Sequence, residues 1–273
     1  MHKKNYEHLM DVSKRIRVNI LAAAEKVKKG RGAHFGPSLS CVEILVALYF
    51  QKMRGKLTMH DRDRFIMSKN HGGLALYSVF VEKGLLTEEQ LLAYNQDGSD
   101  LFGYPKNIQI GVDYEGGSLG MGLSYGVGQA LAAKLKKLDY HTFVLLGDGE
   151  LNEGTVWEAF MSGAHFKLSN LTAIIDRNKF CIDGETEDVM AIEPLKDKIL
   201  SFGWNVITCD GHDFNELIEA FDNLPSDKPT AVIANTVKGK GVSFMEYRRE
   251  WHQARINKEQ FEIAMNELEG SML

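Results

Sequence analysis

Oxygen-bearing side chains follow two apolar stretches that have the character of buried strands. Asp148 stands between two glycines directly after the run 142–147, and Asn178 comes two residues after the run 171–176. Ligands of parallel sheets bind beyond the carboxyl ends of the strands, so adjacent strands would bring these side chains together. Carboxylate and amide oxygens suit Mg²⁺ or Ca²⁺, and Mg²⁺ usually completes its shell with water and substrate phosphates. The pair therefore predicts a metal site that recruits a phosphate group.

The residues alone leave a second interpretation of this turn open. Gly-Asp-Gly is common in loops that bind nothing, because glycine and aspartate both suit tight turns. The same turn also carries Glu150 and Glu153. Because Glu150 precedes a predicted helix, it is interpreted as a solvated or helix-leading acid with no role in a site.

A run of glycines at 116–122 precedes a predicted helix and could present backbone N–H groups to a ligand. It is not Gly-x-Gly-x-x-Gly after a strand, and no acidic residue follows on a next strand, so the pattern disfavours a nicotinamide dinucleotide site. The alternative is close packing of the helix through Gly120, Gly126 and Gly128.

Three of the nine histidines, His34, His71 and His252, lie in loop-like sequence beside small residues or at a helix start. Packing is the ordinary role of any single histidine. Three in loops could also converge on one site, as donors to oxyanions or as acid–base groups. The other six are interpreted as surface or packing residues: His2, His8, His60, His141, His165 and His212.

From residue 117 onward, strand and helix patterns alternate. Strands are predicted at 142–147, 171–176, 204–209 and 230–236, with helices at 119–137, 155–166, 193–201 and 213–223. Strands such as 171–175 are apolar throughout rather than alternating, which is typical of parallel strands covered on both faces. The fold class is therefore α/β, doubly wound, with a mostly parallel sheet and helices on both faces.

The N-terminal part is predicted to be mainly helical, within a single domain that spans 1–273. Apolar spacing predicts a helix over 6–29, Ser38 is predicted to cap a second helix, and 64–67 resembles a short strand. A helix is expected to begin at 71–73 and to continue to 81. Thr87 and Gln90 have the spacing of a capping box.

Composition narrows the classes of partner. The net charge of −5 and a hydrophobic content of 44% favour a globular protein that does not bind nucleic acid or a membrane. Cys41, Cys181 and Cys209 form no disulfide framework or metal spacing, which favours a reducing compartment. No apolar signal segment or membrane span is evident, so we expect a cytoplasmic protein.

Several motifs together resemble transketolase. Gly-Asp-Gly followed about thirty residues later by Asn is similar to the thiamine diphosphate motif, and it lies in LLGDGELNEGTVWEAFMSGAHFKLSNLTAIIDRN. Five further motifs also resemble the family and occur in the same order along the chain: RDRFIMSKNHGGLALYSVF, GGSLGMGLSYGVGQALAAKL, IDGETEDVM, FGWNVITCDGHDF and VKGKGVSFMEYRREWH. The resemblance covers about 10–265. The length is similar to that of the N-terminal, diphosphate-binding subunit of a split two-chain transketolase.

The resemblance implies which residues hold the cofactor and its metal. Mg²⁺, for which Ca²⁺ can substitute, would be bound by Asp148, the side chain of Asn178 and the carbonyl of Phe180. Thiamine diphosphate would contact a set of residues made up of His71, Gly117, Ser118, Leu119, Gly149, Asn178 and His252.

The resemblance also implies catalytic and substrate-binding roles. His34 and His252 would face the sugar and handle its hydroxyl protons. Glu153 would reach across a subunit interface to the glutamate that activates the cofactor, which belongs to another chain. Tyr104 stands where the family usually has a histidine that contacts the donor ketose, and Gly117 stands where threonine is common.

The implied activity is transfer of a two-carbon ketol unit from a ketose phosphate to an aldose phosphate. The implied partner is a C-terminal subunit with the pyrimidine-binding and C-terminal domains, in a heterotetramer. Because of Tyr104, an enzyme acting on an unusual ketose or in a specialised pathway stays open as an alternative. A catalytically silent regulatory subunit is a third possibility.

Overall fold

The structure is a computed structural model that describes residues 3–28, 30, 32–56 and 59–270. Five strands form one sheet, in the order β1-β2-β3-β5-β4, and every neighbouring pair is parallel. The strands are β1 Arg64–Met67, β2 Thr142–Gly147, β3 Leu171–Arg177, β4 Asn205–Asp210 and β5 Thr230–Asn235. The predicted strands are confirmed to within one residue at each end.

Helices cover both faces of the sheet. They are α1 Lys3–Glu25, α2 Phe35–Leu39, α3 Val42–Ala47, α4 Gly73–Glu82, α5 Glu88–Leu92, α6 Met121–Lys136, α7 Gly154–His165, α8 Thr186–Met190, α9 Leu195–Ser201, α10 Phe214–Asp222 and α11 Lys258–Gly270. Within β2, Phe143 and Leu145 belong to the core under α1, α3, α4 and α10, whereas Val144 and Leu146 belong to the core under α6, α7 and α9. Both faces of one strand are buried, which explains the uninterrupted apolar runs and confirms the doubly wound α/β class.

The N-terminal helices differ from the prediction in detail. α1 ends at Glu25 rather than at Lys29, which lies outside the described residues. The predicted cap at Ser38 is wrong, because Ser38 lies inside α2, where its buried hydroxyl has no hydrogen-bond partner among the described residues. α2 begins directly after His34, and Pro37 suits its first turn because backbone N–H groups there need no helical partner.

Two other helices differ in whether they were predicted. The capping box of α5 is confirmed, since Thr87 and Gln90 exchange side-chain and backbone hydrogen bonds. α11 was not predicted; it packs on α1 through Ala264 and Leu268. No helix in the described part of the chain is both long enough and apolar enough to cross a membrane.

The glycines of α6 were expected to permit close packing, and two of three do so. A Cβ at Gly126 would lie 2.5 Å from Cγ2 of Val144, and one at Gly120 would lie 2.5 Å from Oγ1 of Thr155. The expectation is wrong for Gly128, whose Cβ would enter open space. Gly128 lies on the outer side of α6, a face that periodicity alone did not separate from the inner one.

Candidate active site at the carboxyl edge of the sheet

The carboxyl ends of the strands surround one cavity of about 460 Å³. Gly147 of β2 pairs with Asp176 of β3, so the turns that follow these strands are neighbours. Asp148 and Asn178 both line the cavity, as the sequence predicted from the adjacency of their strands. The segments after β1 and β5 complete the wall with two lysines and two histidines.

The predicted metal ligands lie together on this wall. The carboxylate of Asp148 accepts hydrogen bonds from the backbone N–H groups of Gly149 (2.8 Å) and Lys179 (2.5 Å). Asn178 Oδ1 accepts from the N–H of Phe180 at 3.1 Å, which turns this short loop back toward the cavity. A carboxylate, an amide oxygen and the Phe180 carbonyl form a hard-oxygen donor set that suits Mg²⁺ or Ca²⁺.

Two further observations test whether a cation fits here. The described residues hold no cluster of three or more His, Cys, Asp or Glu side chains that could bind a metal. A cation at Asp148 therefore needs ligands from an amide, a carbonyl and a bound molecule, as the donor set supplies. Burial, followed by the nearby Asp176, raises the pKa of Asp148 while Arg177 opposes this shift. A bound cation would favour the carboxylate form.

Three neutral imidazoles converge over the cavity, as the sequence allowed. The ring centroid of His34 lies 5.8 Å from that of His71 and 5.7 Å from that of His252. The rings of His71 and His252 stack at 5.3 Å. Burial lowers the pKa of His34 to about 4 and that of His252 to about 2, and the pKa of His71 also lies well below its usual value. All three are therefore uncharged near pH 7 and can accept or donate a proton.

Lys238 is a site residue that the sequence analysis missed. Its Nζ donates to Nδ1 of His252 at 2.9 Å and to the carbonyl oxygens of Phe180 and Cys181 at 3.2 Å each. The residue is 1% exposed, and burial lowers its pKa to about 8. No carboxylate among the described residues forms an ion pair with it. The position of Lys238 just beyond β5 could have indicated it, by the rule that found Asp148 and Asn178.

A second lysine at the cavity, Lys69, is neutralised by a buried carboxylate. Lys69 forms a buried ion pair with Asp176, which also accepts hydrogen bonds from the hydroxyls of Ser40 and Thr236. Asp176 thereby joins the segments after β1 and β5 to β3. Because Lys69 has its own carboxylate, Lys238 is, of the described residues that line the cavity, the cation without a carboxylate partner.

Glu150 corrects the expectation of a solvated acid. It is 2% exposed and accepts hydrogen bonds from the hydroxyl of Ser68 and from the N–H groups of Gly120 (2.8 Å) and Gly147 (3.0 Å). A 3₁₀ turn at Gly149–Asn152 directs its side chain inward rather than to solvent. Glu150 thus fixes the glycine run against the ends of β1 and β2.

The glycine run contributes unevenly to the cavity. Gly117 and Leu119 line it, whereas Ser118 is exposed and lies outside the lining. Gly149 also lines it, and a Cβ there would lie 2.9 Å from Cβ of Cys181. The backbone around Gly149 is therefore open only because this residue has no side chain.

The remaining predicted residues lie at the rim. Tyr104 is 42% exposed and its ring centroid lies 6.0 Å from that of His34. Glu153 is exposed at the start of α7, outside the cavity lining. Neither residue is enclosed by this chain, so both are available to a larger ligand or to another chain.

A parallel α/β sheet with a polar cavity at its carboxyl edge defines the class of α/β proteins that bind ligands beyond the ends of their strands. Residues 11–269 match the family model described as transketolase, thiamine diphosphate binding domain. The chain belongs to the transketolase family.

Relatives of similar length are named as subunits. The chain is 44% identical over 249 residues to a subunit of the apulose-4-phosphate transketolase of Phocaeicola vulgatus, with 89% of each chain covered. It is 38% identical over 271 residues to a subunit of the 6-deoxy-6-sulfo-D-fructose transketolase of a Clostridium species, with 96% of this chain and 98% of the relative covered.

Longer transketolases match this chain over less than half of their length. Human transketolase is 35% identical, with 97% of this chain and 43% of the relative covered. The crystal structure of Pichia stipitis transketolase in complex with sedoheptulose 7-phosphate superposes with a TM-score of 0.85 at 31% identity, with 94% of this chain and 40% of that chain covered. The protein therefore corresponds to the thiamine diphosphate binding part of these enzymes.

Proposed function

We propose that this chain is the diphosphate-binding subunit of a transketolase that transfers a two-carbon ketol unit from a ketose phosphate to an aldose phosphate. The observation that carries the proposal is the convergence of Asp148, Asn178 and the Phe180 carbonyl on one cavity with Lys238. Family membership and the relatives named as transketolase subunits support the same reaction class.

The donor set fits thiamine diphosphate with Mg²⁺ or Ca²⁺. Asp148, Asn178 and the Phe180 carbonyl would hold the metal, and Lys238 would hold the negative charge of the diphosphate. The open backbone at Gly117 and Gly149 would let the cofactor approach closely. When bound, thiamine diphosphate supplies an electron sink, so that the bond between the second and third carbons of a ketose can break.

The chain's own part in catalysis is to orient the substrate and to move protons. Lys238 donates to Nδ1 of His252, so the proton of this neutral ring lies on Nε2, where it can be donated to a sugar oxygen. The ring of His34 is also neutral and can accept a hydroxyl proton. The depressed pKa values of both rings keep them uncharged beside a cofactor that carries its own charges.

A second subunit is part of the proposal. The chain spans about two fifths of the transketolase structures that it matches, so the pyrimidine-binding and C-terminal domains would come from a partner chain in a heterotetramer. We propose that Glu153 contacts the activating glutamate of that partner, and its exposure at the start of α7 supports this. The proposed compartment is the cytoplasm.

A second candidate function changes only the donor. Relatives of similar length are named for apulose 4-phosphate and for 6-deoxy-6-sulfo-D-fructose. Tyr104 at the cavity rim is an aromatic phenol where the family usually has histidine. Both observations favour an unusual ketose over xylulose 5-phosphate as the physiological donor.

One experiment tests cofactor, partner and donor together. The chain is purified alone and with its partner subunit, and ketol transfer is measured with xylulose 5-phosphate, apulose 4-phosphate and 6-deoxy-6-sulfo-D-fructose. We expect turnover only with the partner and Mg²⁺, and loss of cofactor binding in Asp148→Ala. Full activity of this chain alone would refute the two-chain proposal, and unchanged cofactor affinity in Asp148→Ala would refute the metal assignment.

The same measurements test the choice of donor and the possibility of a silent subunit. Turnover of xylulose 5-phosphate equal to or better than that of every other donor would count against the unusual-ketose candidate. Inactivity of the assembled complex on every donor, despite bound cofactor, would indicate a catalytically silent subunit. The presence of the three histidines beside the proposed metal ligands argues against that outcome.

A further inference from the structure

Arg177, the last residue of β3, joins the candidate metal site to a segment at the cavity mouth. Its Nη1 donates to Oδ2 of Asp148 at 3.1 Å and to the hydroxyl of Thr186 at 2.7 Å. Its Nη2 donates to the carboxylates of Glu187 and Glu193, at 3.0 Å each. The side chain is only 5% exposed. One guanidinium thus connects a predicted metal ligand with both ends of the segment 186–193.

This segment, which contains α8, has few other anchors. Thr186 and Ile192 are its buried residues, and the others are exposed. Val189 from its middle lines the cavity, so the position of the segment affects the shape of the mouth. A stretch with so little buried apolar surface relies on polar contacts for its order. Thr186, Glu187 and Glu193 all make such contacts with the one guanidinium of Arg177.

The positive charge of Arg177 makes these contacts relevant to metal binding at Asp148. A guanidinium beside a metal ligand repels a cation, and the repulsion is stronger in a buried site than in water. Glu187 and Glu193 neutralise Arg177 only while the segment 186–193 is docked. Arg177 also fixes the Asp148 carboxylate together with the N–H of Lys179, since both bond to Oδ2.

We propose that Arg177 is a positioning residue that couples metal-dependent cofactor binding at Asp148 to docking of the segment 186–193. Docking of the segment neutralises and orients the guanidinium that holds the metal ligand, so each event favours the other. The inference rests on the proposed function, because it requires a metal and diphosphate site at Asp148.

The test neutralises the carboxylates of Glu187 and Glu193, which do not line the cavity. Glu187→Gln with Glu193→Gln should weaken Mg²⁺-dependent binding of thiamine diphosphate to the assembled enzyme by about three- to tenfold, the range for two partly exposed ion pairs. Binding is measured by calorimetry, and hydrogen exchange of 186–193 should become faster. The matched control, Glu185→Gln with Asp188→Asn, removes the same charge from the same part of the chain outside the Arg177 cluster. It should change the affinity by less than about twofold.

A double-mutant cycle with Arg177→Met distinguishes coupling through Arg177 from a general effect of the lost negative charge. In that background, loss of Glu187 and Glu193 should no longer change cofactor affinity. Persistence of the effect, or equal effects of the two charge-matched pairs, overturns the inference. Should Arg177→Met fail to fold, the comparison of the two pairs still decides. If the wild-type assembly shows no Mg²⁺-dependent cofactor binding, the proposed function fails as well; if it binds and the pairs are equal, only the inference fails.

Discussion

Replacing Lys238 with methionine should stabilise the free chain and weaken cofactor binding. The two effects have one cause, a buried ammonium that has no carboxylate partner among the described residues. Methionine retains much of the length of the side chain without its charge. A gain in stability together with a loss of affinity is typical of a side chain that serves ligand binding at a cost to folding stability.

The size of the stability change follows from the surroundings of Lys238. A fall of its pKa from 10.5 to about 8 corresponds to about 3 kcal/mol spent on carrying the charge in the folded chain at neutral pH. Methionine removes this cost but leaves the Phe180 and Cys181 carbonyls without their Nζ donor, at about 1 kcal/mol each. Nδ1 of His252 also loses this donor, but the ring is only half-buried and a neutral imidazole can carry its proton on either nitrogen, so this loss is small. The net gain is about 1 kcal/mol, measurable from urea denaturation at constant slope.

The affinity should change in the other direction. In the assembled enzyme one Nζ–H of Lys238 would turn from a carbonyl oxygen to the phosphate. Loss of such a charge-assisted hydrogen bond costs about 1.5–3 kcal/mol, which corresponds to about 10- to 150-fold in the dissociation constant. The measurement is a thiamine diphosphate titration of the assembled enzyme with Mg²⁺. Lys240→Met is the control, because its partly exposed ammonium pairs with Glu246. A Lys238→Met variant that is less stable than the parent and binds cofactor within twofold of it would refute the reasoning.

The pH dependence gives a second check on Lys238. A lysine whose pKa is lower in the folded chain destabilises that chain fully below about pH 8. The penalty is relieved as the pH rises toward 10.5, because only the unfolded chain then keeps the proton. Stability of the parent should therefore contain a component that rises across this window and is missing in Lys238→Met. Cofactor affinity should fall across the same window, since the uncharged amine cannot attract the diphosphate.

Three further substitutions test the packing and polar contacts behind the site. Glu150→Ala should lower the free energy of unfolding by about 3 kcal/mol, because buried N–H donors of Gly120 and Gly147 lose their acceptor; a loss below about 1 kcal/mol in denaturant titration would contradict its structural role. Gly126→Ala should cost about 1–3 kcal/mol through overpacking. Gly128→Ala should instead gain about 0.5–1 kcal/mol of helix stability in the free chain. Equal melting temperatures for these two alanine variants would contradict the assignment of inner and outer faces.

The fold class and the position of Asp148 and Asn178 at one edge of the sheet could be predicted from the sequence, because both depend on short-range patterns. Strands buried on both faces must be apolar at every position, so the runs ending near Gly147 and Asp176 indicate parallel strands without knowledge of their neighbours. Polar residues directly after such strands lie at the carboxyl edge of the sheet, where ligands bind. Asp148 and Asn178 were found by this rule, and Lys238 would have been found had it been applied to β5.

The burial of individual side chains, and the direction in which they point, could be established only from the tertiary structure. Glu150 resembles a solvated acid until the ends of β1 and β2 and the glycine run enclose it from three separate parts of the chain. The neutral state of His252 likewise depends on burial and on Lys238, which is 14 residues away in sequence but hydrogen-bonded in space. A residue's type sets which charge or hydrogen bond it can offer. Whether that charge is solvated, paired or left free for a ligand depends on which distant segments surround it, and that is decided only when the chain folds.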